Sequence, residues 1–336
     1  MSGLARLALA ASIGLCAPAL ADPVADFYKG KSIRLVLPTA PGGSTSLYGL
    51  MISEHLPRHI PGAPSVAAEY RVGAGGVTAA NYVYNAAPKD GTVLTMLIAG
   101  LLAQDTQPEA ARFEAEKFSY IGRAADLPRA FVAWHASGVA KMEDARRREV
   151  VMGASGRGAI TAIHPALVNE IFGTRFKIIN GYSGAGTTYL ALERGEIDAT
   201  TVAWEGLVAA RSDWLREGKI KVLATIGSRR FEGYESVPNM VDLAKNEDDR
   251  AVLAYAAHVA DVGQAVAGPP GLPPDRLEAL RKAFDAMMKD EAFIKAAQER
   301  KVELAPMSGA ELQAFVEKTA KRPASAAARL RAVAVE

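Results

Sequence analysis

A short apolar run that leads into prolines, glycines and hydroxyl residues constrains the fold most strongly. Residues 33–37 are apolar, two glycines and three hydroxyl residues follow Pro41, and apolar residues then recur at helical spacing from Leu47. This order predicts a strand, a glycine loop and the N-terminus of a helix. Free backbone N–H groups and the positive end of the helix dipole meet at such a junction. The stretch 35–48 therefore predicts a site for a small anion.

The same order of elements recurs along the chain. Apolar runs at 66–71, 150–154 and 176–180 are each followed by glycines and then by a helical pattern. Strands that alternate with helices are typical of parallel sheets covered on both faces. Ligands of such sheets bind beyond the C-terminal ends of the strands, so we expect two lobes that face each other across a cleft. The predicted strands are 33–37, 66–71, 92–98, 130–134, 150–154, 176–180, 199–204, 220–226 and 262–267.

Composition restricts the class of protein. The chain has 336 residues, which is enough for two domains of ordinary size. Hydrophobic residues make up 49% and charged residues 23%, as in ordinary globular proteins and unlike disordered or fibrous chains. The formal net charge of +2 gives no basic footprint for a nucleic acid, so we expect no nucleic-acid partner.

The first 21 residues have the pattern of a secretory signal peptide. Arg6 gives the start a positive charge, residues 7–15 are apolar, and a small-x-small motif occupies 19–21. We predict cleavage after Ala21 and export to the periplasm, because the apolar run is too short to span a bilayer. The single cysteine, Cys16, lies in this segment, so the exported chain would have no disulfide and no cysteine-bound metal. Lipidation of Cys16 is the alternative, although a leucine precedes it where a small residue is usual.

Several short motifs occur in a fixed order along the exported part of the chain. They are Pro-Thr-Ala-Pro-Gly-Gly at 38–43, Gly-Ala-Gly-Gly at 73–76, Pro-Lys-Asp-Gly-Thr-Val-Leu at 88–94, Tyr-Ser-Gly at 182–184, Leu-x-x-Gly-x-x-Asp at 192–198, Val-Pro-x-x-x-x-Leu at 237–243 and a Gly-Leu-Pro helix entry at 271–280. In this order, behind a signal peptide, they resemble the extracytoplasmic solute receptors of tripartite tricarboxylate transporters, also called Bug receptors. The chain departs from that pattern at Ser46 and Leu50, where the family often has aspartate and arginine.

The resemblance implies a fold and a function. Such receptors have a type II-like periplasmic-binding-protein fold with two lobes, each a mostly parallel sheet flanked by helices, joined by a hinge. We expect lobe 1 at 22–125 plus 251–336 and lobe 2 at 126–250. The receptors close on a small organic carboxylate, here a mono- or dicarboxylate, and deliver it to membrane permease subunits. We expect a monomer without a cofactor.

The predicted site uses groups from both lobes, since a bridging ligand favours the closed state. Glycines let the backbone approach the ligand, and hydroxyl groups add adaptable donors. The resemblance likewise implies that backbone amides and hydroxyls hold the carboxylate. The expected ligand-binding residues are Pro41, Gly42, Gly43, Ser44, Thr45 and Gly75 in lobe 1, and Ser155, Gly156, Gly158, Thr161, Tyr182, Ser183, Gly184 and Asp198 in lobe 2.

Four further side chains are candidate contacts. Arg157 offers a charge-assisted bond to a second carboxylate, and His164 is the other candidate for that distal contact. Trp204 and Tyr48 offer apolar walls, although large aromatics near strand ends are more often core residues. We expect no metal, because Pro57 lies within the pair His55 and His59 and no third ligand is evident.

Two other functional classes stay open at this point. An exported α/β hydrolase would need Ser155 to pair with His164 or His258, but the chain has no Gly-x-Ser-x-Gly motif and no exported cysteine nucleophile. We therefore expect no enzyme. Nucleotide binding is disfavoured because Thr187 stands where a phosphate loop needs lysine. A receptor that reports to a signalling partner is the second alternative, and the sequence does not separate it from a transport receptor.

Overall fold

The computed structural model describes residues 22–98, 100–227, 230–322 and 324–335, so the predicted signal peptide lies outside the described residues. The strands are β1 (Ser32–Leu37), β2 (Ser65–Tyr70), β3 (Val93–Met96), β4 (Ser119–Arg123), β5 (Arg129–Trp134), β6 (Val150–Ala154), β7 (Phe176–Asn180), β8 (Ala199–Ala203), β9 (Ile220–Ile226), β10 (Ala265–Gly268) and β11 (Met307–Ser308). The helices are α1 (Pro23–Tyr28), α2 (Ser44–His55), α3 (Val77–Asn85), α4 (Gly100–Thr106), α5 (Asp144–Arg147), α6 (Ile160–Phe172), α7 (Ala185–Glu193), α8 (Trp204–Arg216), α9 (Glu247–Asp261), α10 (Pro274–Met287), α11 (Glu291–Glu299), α12 (Gly309–Ala320) and α13 (Ala324–Val335).

The strands form two separate mixed sheets, and each sheet is the centre of one lobe. The first sheet has the order β11-β4-β10-β3-β1-β2, and the second has the order β7-β6-β8-β5-β9. In the first, β1 runs parallel to β2 and β3, whereas β10 runs antiparallel between β3 and β4. In the second, β6 runs parallel to β7 and β8, whereas β5 runs antiparallel between β8 and β9.

The expectation of mostly parallel sheets is corrected by β5 and β10. Each of these strands is the first that the chain forms after it enters the other lobe. Such a strand starts at the edge that faces the partner lobe, so it runs against the neighbours that end there. The direction of these two strands therefore follows from the route of the chain between the lobes, which local sequence patterns do not report.

Two short segments carry the chain between the lobes and lie side by side. We name residues 124–128 the first crossing and residues 262–264 the second crossing. The N–H of Ala124 donates to the carbonyl of Gln264 at 3.0 Å, and the N–H of Gln264 donates to the carbonyl of Ala125 at 2.8 Å. At Gly263 (φ +60°) a Cβ would lie 2.2 Å from the Ala125 carbonyl oxygen. This close approach requires glycine and holds the crossings together as a hinge.

Most predicted strands lie within two residues of the observed ones, but several elements were not predicted. The sequence patterns missed β4 and the helices α4, α8 and α9, and the predicted strand at 199–204 ends at Ala203 because Trp204 begins α8. In β4, Ser119 and Gly122 interrupt the apolar run, although all but the last residue of the strand are buried. Burial by both neighbouring strands, which is a tertiary property, makes this segment a strand.

The C-terminal helix connects elements of both lobes. Helix α13 packs against α4, which follows the first sheet's β3, and against α6, which follows the second sheet's β6. The guanidinium of Arg329 on α13 contacts Glu170 on α6 at 2.9 Å and Asp248 and Asp249 on α9 at 2.8 Å each. The apolar core is accordingly continuous between the lobes near α13.

Among the described residues, no helix combines the length and the apolar character that crossing a membrane requires.

Candidate ligand-binding cleft

The parallel strands of both sheets end in the loops that carry the glycine motifs. Strand β1 leads through residues 38–43 into α2, and β6 leads through residues 155–159 into α6. These two loops lie on the sides of the lobes that face each other, because the side chain of Gln107, just after α4, donates to the carbonyl of Gly158 at 3.3 Å. The structure thus brings the predicted first-lobe and second-lobe loops to one interlobe cleft.

The loop before α2 leaves the helix N-terminus open. Gly42 has φ +92°, a conformation that side chains rarely adopt, whereas the N-cap residue Gly43 is extended at φ −92° and ψ 162°. No side chain caps the helix, and a Cβ at either glycine would meet nothing within 4 Å. Pro41 and Gly42 are exposed. The N–H groups of the first turn, together with the helix dipole, are therefore available to a small anion.

The hydroxyl residues of this loop are tied to the rest of the lobe. Ser44 accepts a 3.4 Å hydrogen bond from the side-chain amide of Gln264 on the second crossing, and Ser46 bonds to the hydroxyl of Tyr70 at 3.0 Å. Thr45 is buried. Ser46, where the family pattern has an acid, is therefore a structural contact between α2 and β2. Ser44 instead connects the anion loop directly to the hinge.

The loop after β2 lies beside the α2 loop at the same edge of the first sheet. Four successive residues, 73–76, have positive φ values, and Gly75 at φ +62° is exposed with open space around it. Three glycines in this segment permit that conformation. The predicted residue Gly75 is thus placed at the rim of the first lobe and adds backbone groups without a side chain.

The loop before α6 is closed by its own hydroxyl groups. Thr161 Oγ1 accepts from the backbone N–H of Ser155 at 3.0 Å and lies 3.0 Å from Ser155 Oγ. The N-cap residue is Ala159, which has no side-chain acceptor. Gly156 is open, but a Cβ at Gly158 would lie 2.1 Å from Gln107 Nε2. The second-lobe loop is therefore partly covered by the first lobe. Arg157 is exposed on this loop.

The third predicted loop joins the second at the end of β6. The N–H groups of Gly181 and Tyr182 both donate to the carbonyl of Ala154, at 3.1 and 3.2 Å. Ser183 and Gly184 are exposed just before α7. The hydroxyl of Thr187 donates to the Gly184 carbonyl at 2.8 Å, so this helix start is partly satisfied by its own side chain.

Two predicted contacts lie elsewhere. Asp198 precedes β8, at the opposite end of the strand from the cleft, and its carboxylate accepts from the N–H of Val151 at 2.9 Å. The placement of Asp198 in the cleft is therefore corrected. Tyr48 is 1% exposed, and its hydroxyl donates to the carbonyl of Glu303 at 2.5 Å. This ring belongs to the core beneath α2 and is not a wall of the cleft.

The two remaining aromatic candidates are also core residues. Trp204 stacks on Phe231 with ring centroids 4.2 Å apart, inside an apolar cluster of the second lobe. His164 is fully buried, and its Nε2 lies 3.3 Å from the carbonyl oxygen of Ala256. Burial, assisted by the charge of Arg129, lowers the pKa of His164 to about 3, so the ring is neutral at physiological pH. The prediction of a ligand contact through His164 is corrected.

The cleft also contains polar residues that the sequence patterns did not single out. Arg129 begins β5, and Gln264 precedes β10; both are more than nine-tenths buried and carry atoms without a partner among the described residues. A charged or polar residue at the start of an apolar strand was the available signal. The polar side chain of Gln107 likewise follows the unpredicted helix α4.

The remaining polar features favour neither a metal site nor catalysis. Within the described ranges, no three His, Cys, Asp or Glu side chains come together in a group that would hold a metal ion. Ser155 is paired with Thr161, His164 with Ala256, and the exposed His258 packs against Phe315, so no serine–histidine pair forms. The geometry gives no support to the hydrolase alternative.

A surface groove of about 550 Å³ lies between α3 and residues 109–112, away from the glycine loops. Its asparagines are occupied, because Asn81 donates to the carbonyl of Ala110 at 2.7 Å and Asn85 to the carbonyl of Arg112 at 2.8 Å. These side chains hold the neighbouring segment in place, and the groove does not compete with the cleft as a site.

The family model of the tripartite tricarboxylate transporter family receptor matches residues 57–329 of the chain. The chain belongs to this family. Family members are periplasmic solute-binding receptors, not enzymes. The resemblance seen in the sequence and the two-lobed α/β fold are thereby confirmed.

Individual family members share low sequence identity with this receptor. The protein BugT of Bordetella pertussis is 25% identical over 305 residues, which is 87% of each chain. The structure of MatC from Rhodopseudomonas palustris, with bound malate, has a TM-score of 0.66 at 18% identity and covers 90% of this chain and 99% of its own. A second R. palustris protein, with adipate, has a TM-score of 0.66 at 20% identity and covers 91% and 96%. At these identities, the structures support the fold alone.

Proposed function

We propose that this receptor captures a small organic carboxylate in the interlobe cleft and delivers it to the membrane subunits of a tripartite transporter. The open N-terminus of α2 carries this proposal. Gly43 offers no side-chain cap, the space around Gly42 and Gly43 is empty, and the dipole of a 12-residue helix points at it. Backbone N–H groups and a helix dipole together favour a carboxylate over a neutral or cationic solute.

The second lobe would complete the site on closure. Residues 155–161 and 182–184 lie together at the ends of β6 and β7, and Gln107 already links the first of these loops to the first lobe. The crossings at 124–128 and 262–264 would serve as the hinge between lobe 1, residues 22–125 plus 251–336, and lobe 2, residues 126–250. Helix α9 contacts both lobes, so the second boundary falls at one of its ends.

Known family structures are compatible with this ligand class. MatC was solved with malate and a second relative with adipate, and both ligands are small carboxylic acids. We propose that the receptor reaches the periplasm through the signal peptide at residues 1–21, with cleavage after Ala21, and that it acts as a monomer. Neither a cofactor nor a metal enters this proposal.

A thermal-shift screen of the chain from Asp22 onward tests the ligand class. The panel contains mono- and dicarboxylates, their neutral amides, amino acids and sugars. A ligand at 100 times its Kd stabilises the folded state by about 2.7 kcal/mol, which is an easily measured shift. We expect stabilisation by carboxylates and none by their neutral amides. Stabilisation confined to sugars or amines, or a response to no carboxylate at all, would contradict the proposal.

A further inference from the structure

Arg129 occupies an unusual position between the hinge and the cleft. It follows the first crossing directly and is the first residue of β5. In the ladder between β5 and β8 it lies opposite Ala203, the last residue of β8, and the N–H of Trp204 donates to the Pro128 carbonyl at 2.9 Å. Because β8 ends at the cleft edge of the second sheet, Arg129 starts from that same edge.

The guanidinium group of Arg129 is buried with most of its donors unused. The residue is 8% exposed, its Nη2 makes a long 3.4 Å bond to the carbonyl of Thr201, and its Nε has no partner. Within the described part of the chain, no carboxylate lies within ion-pair distance of it. A guanidinium has five N–H donors, and buried donors without acceptors are destabilising. Such a group is expected in a folded protein only where another component supplies an acceptor.

The charges around Arg129 leave it cationic and unbalanced. Burial lowers its pKa to about 10, while Tyr189 on α7 and Glu205 on α8 oppose that shift. The group therefore keeps its proton at neutral pH. His164 on α6 is neutral and adds no negative charge. Thr201 Oγ1 is a second buried polar atom without a partner beside the guanidinium. The second lobe thus contains a polar recess with a net positive centre close to the cleft.

We propose that Arg129 is a specificity-determining residue of the cleft, and that its guanidinium receives a second anionic group of a bound acid whose first carboxylate lies at the N-terminus of α2. This inference rests on the proposed function, since it assumes that the cleft binds a carboxylate. Arg157 and His164 were the sequence candidates for the distal contact. Arg129 differs from both, because it is charged, desolvated and short of acceptors at once.

Matched ligand pairs test the charge requirement. Titration calorimetry on the full exported chain would compare malonate, succinate, glutarate and adipate with the corresponding monoamides. Each monoamide keeps one carboxylate and nearly the same shape but loses the second charge. An anion on a desolvated guanidinium contributes strongly, so we expect at least one diacid to bind about 10-fold tighter than its monoamide, or more. Equal binding within every pair would overturn the role of Arg129 and leave the proposed function intact.

Substitution of Arg129 separates recognition from a structural role. R129M should remove the preference for the diacid while leaving the affinity for the monoamide unchanged within about threefold, because the first carboxylate site is in the other lobe. R129K keeps the charge and should retain part of the preference. Removing an unpaired buried charge should leave the melting temperature of the unliganded protein unchanged or raise it.

Arg123 provides the matched control at the end of β4. Its Nε and both terminal nitrogens donate to the carbonyl groups of Ala305 and Asp261, so its donors are used. R123M should therefore lower the melting temperature and retain the diacid preference. If R129M instead lowers the melting temperature as R123M does and keeps the preference, Arg129 is structural and the inference fails. If no carboxylate binds the wild-type receptor, the proposed function fails and the inference fails with it.

Discussion

The loops before α2 and α6 have similar sequences but differ in how much of their binding capacity is free. Before α2, no side chain caps the helix, and the glycines 42 and 43 face open space. Before α6, Thr161 holds both the backbone and the hydroxyl of Ser155, and Gln107 of the other lobe lies over Gly158. A glycine loop at a strand end is thus not enough for binding; the number of unsatisfied donors decides. We infer that a carboxylate binds first to the first lobe and that the second-lobe loop rearranges as the cleft closes.

The two helices also share a feature one turn further on. The fifth residue of α2 is Tyr48 and the fifth residue of α6 is His164, and both are buried. Each anchors its helix to a distant backbone carbonyl, that of Glu303 or that of Ala256. The anchors differ chemically, since the imidazole titrates in the acid range and the phenol does not. The lobes should therefore respond differently to pH as well as to ligand.

The largest effect is expected when the open site in the first lobe is filled by a carboxylate of the protein itself. Gly43 is extended and has space for a side chain, so G43D would place a carboxylate at the N-cap of α2. The free energy of unfolding should rise by about 0.5 kcal/mol through capping and the helix dipole. Ligand affinity should fall about 100-fold or more, because charged hydrogen bonds are each worth about 1.5–3 kcal/mol. Urea unfolding and calorimetry measure the two quantities.

G43N and G43A are the controls for this substitution. Asparagine caps the helix without a charge, and alanine leaves the backbone donors free. Affinity should decrease from wild type through G43A and G43N to G43D, with G43A within about threefold of wild type because capping by backbone N–H groups does not require a glycine at an extended position. Carboxylate binding by G43D at wild-type strength would show that the N-terminus of α2 is not the site.

The second prediction concerns acid stability, which distinguishes the helix anchors. The pKa of His164 is about 3 in the folded protein and about 6.5 when unfolded, so between these values only the unfolded chain is protonated. Stability from the neutral ring is present above pH 6.5 and is lost as the pH falls, by about 1.4 kcal/mol per pH unit. H164Q, which keeps a donor for the Ala256 carbonyl, should reduce this slope in urea titrations between pH 6.5 and 4. The exposed His258 is the control, and H258Q should leave the slope unchanged; an equal slope in H164Q would contradict the assignment.

Sequence patterns located the glycine loops but not the orientation of the residues next to them. Proline, glycine and apolar periodicity are local signals, and the loops at 38–43, 155–159 and 181–184 lie where those signals placed them. Burial of Tyr48 and His164 depends on which face of each helix meets the sheet, and no local signal reports that. Asp198 is a different case. It precedes its strand, so its position at the edge opposite the cleft follows from strand direction alone and was available in the sequence.

The missed polar residues share a physical cause. Arg129 and Gln264 flank the crossings, and their environment exists only once both lobes are in place. A single charged or polar residue before an apolar run has many possible surroundings. The antiparallel direction of β5 and β10 has the same origin, because it depends on the path of the chain between the sheets. Features near the hinge are thus the ones that local sequence reasoning recovers least well.

The third prediction tests whether Thr161 closes the second-lobe loop. T161V removes the hydroxyl that bonds the N–H and Oγ of Ser155. The free energy of unfolding should fall by about 1 kcal/mol, the typical net value of such hydrogen bonds. Affinity should fall by about threefold to tenfold, less than for G43D, if the first lobe binds first. T161S keeps the hydroxyl and should retain both quantities. A loss in T161V as large as that in G43D would mean that the lobes contribute equally.

The smallest effect is expected at Gln107, which covers the second-lobe loop. Its 3.3 Å bond to the Gly158 carbonyl links the lobes in this structure, and a ligand that needs the loop has to displace it. Q107A removes this competitor and a single weak hydrogen bond, so stability should change by about 0.5 kcal/mol or less. Affinity should rise by about twofold to threefold, through faster association rather than slower dissociation. Stopped-flow kinetics separates the two rates. A lower affinity with faster dissociation would show that Gln107 stabilises the closed, ligand-bound state, and the two loops would then act together from the first encounter.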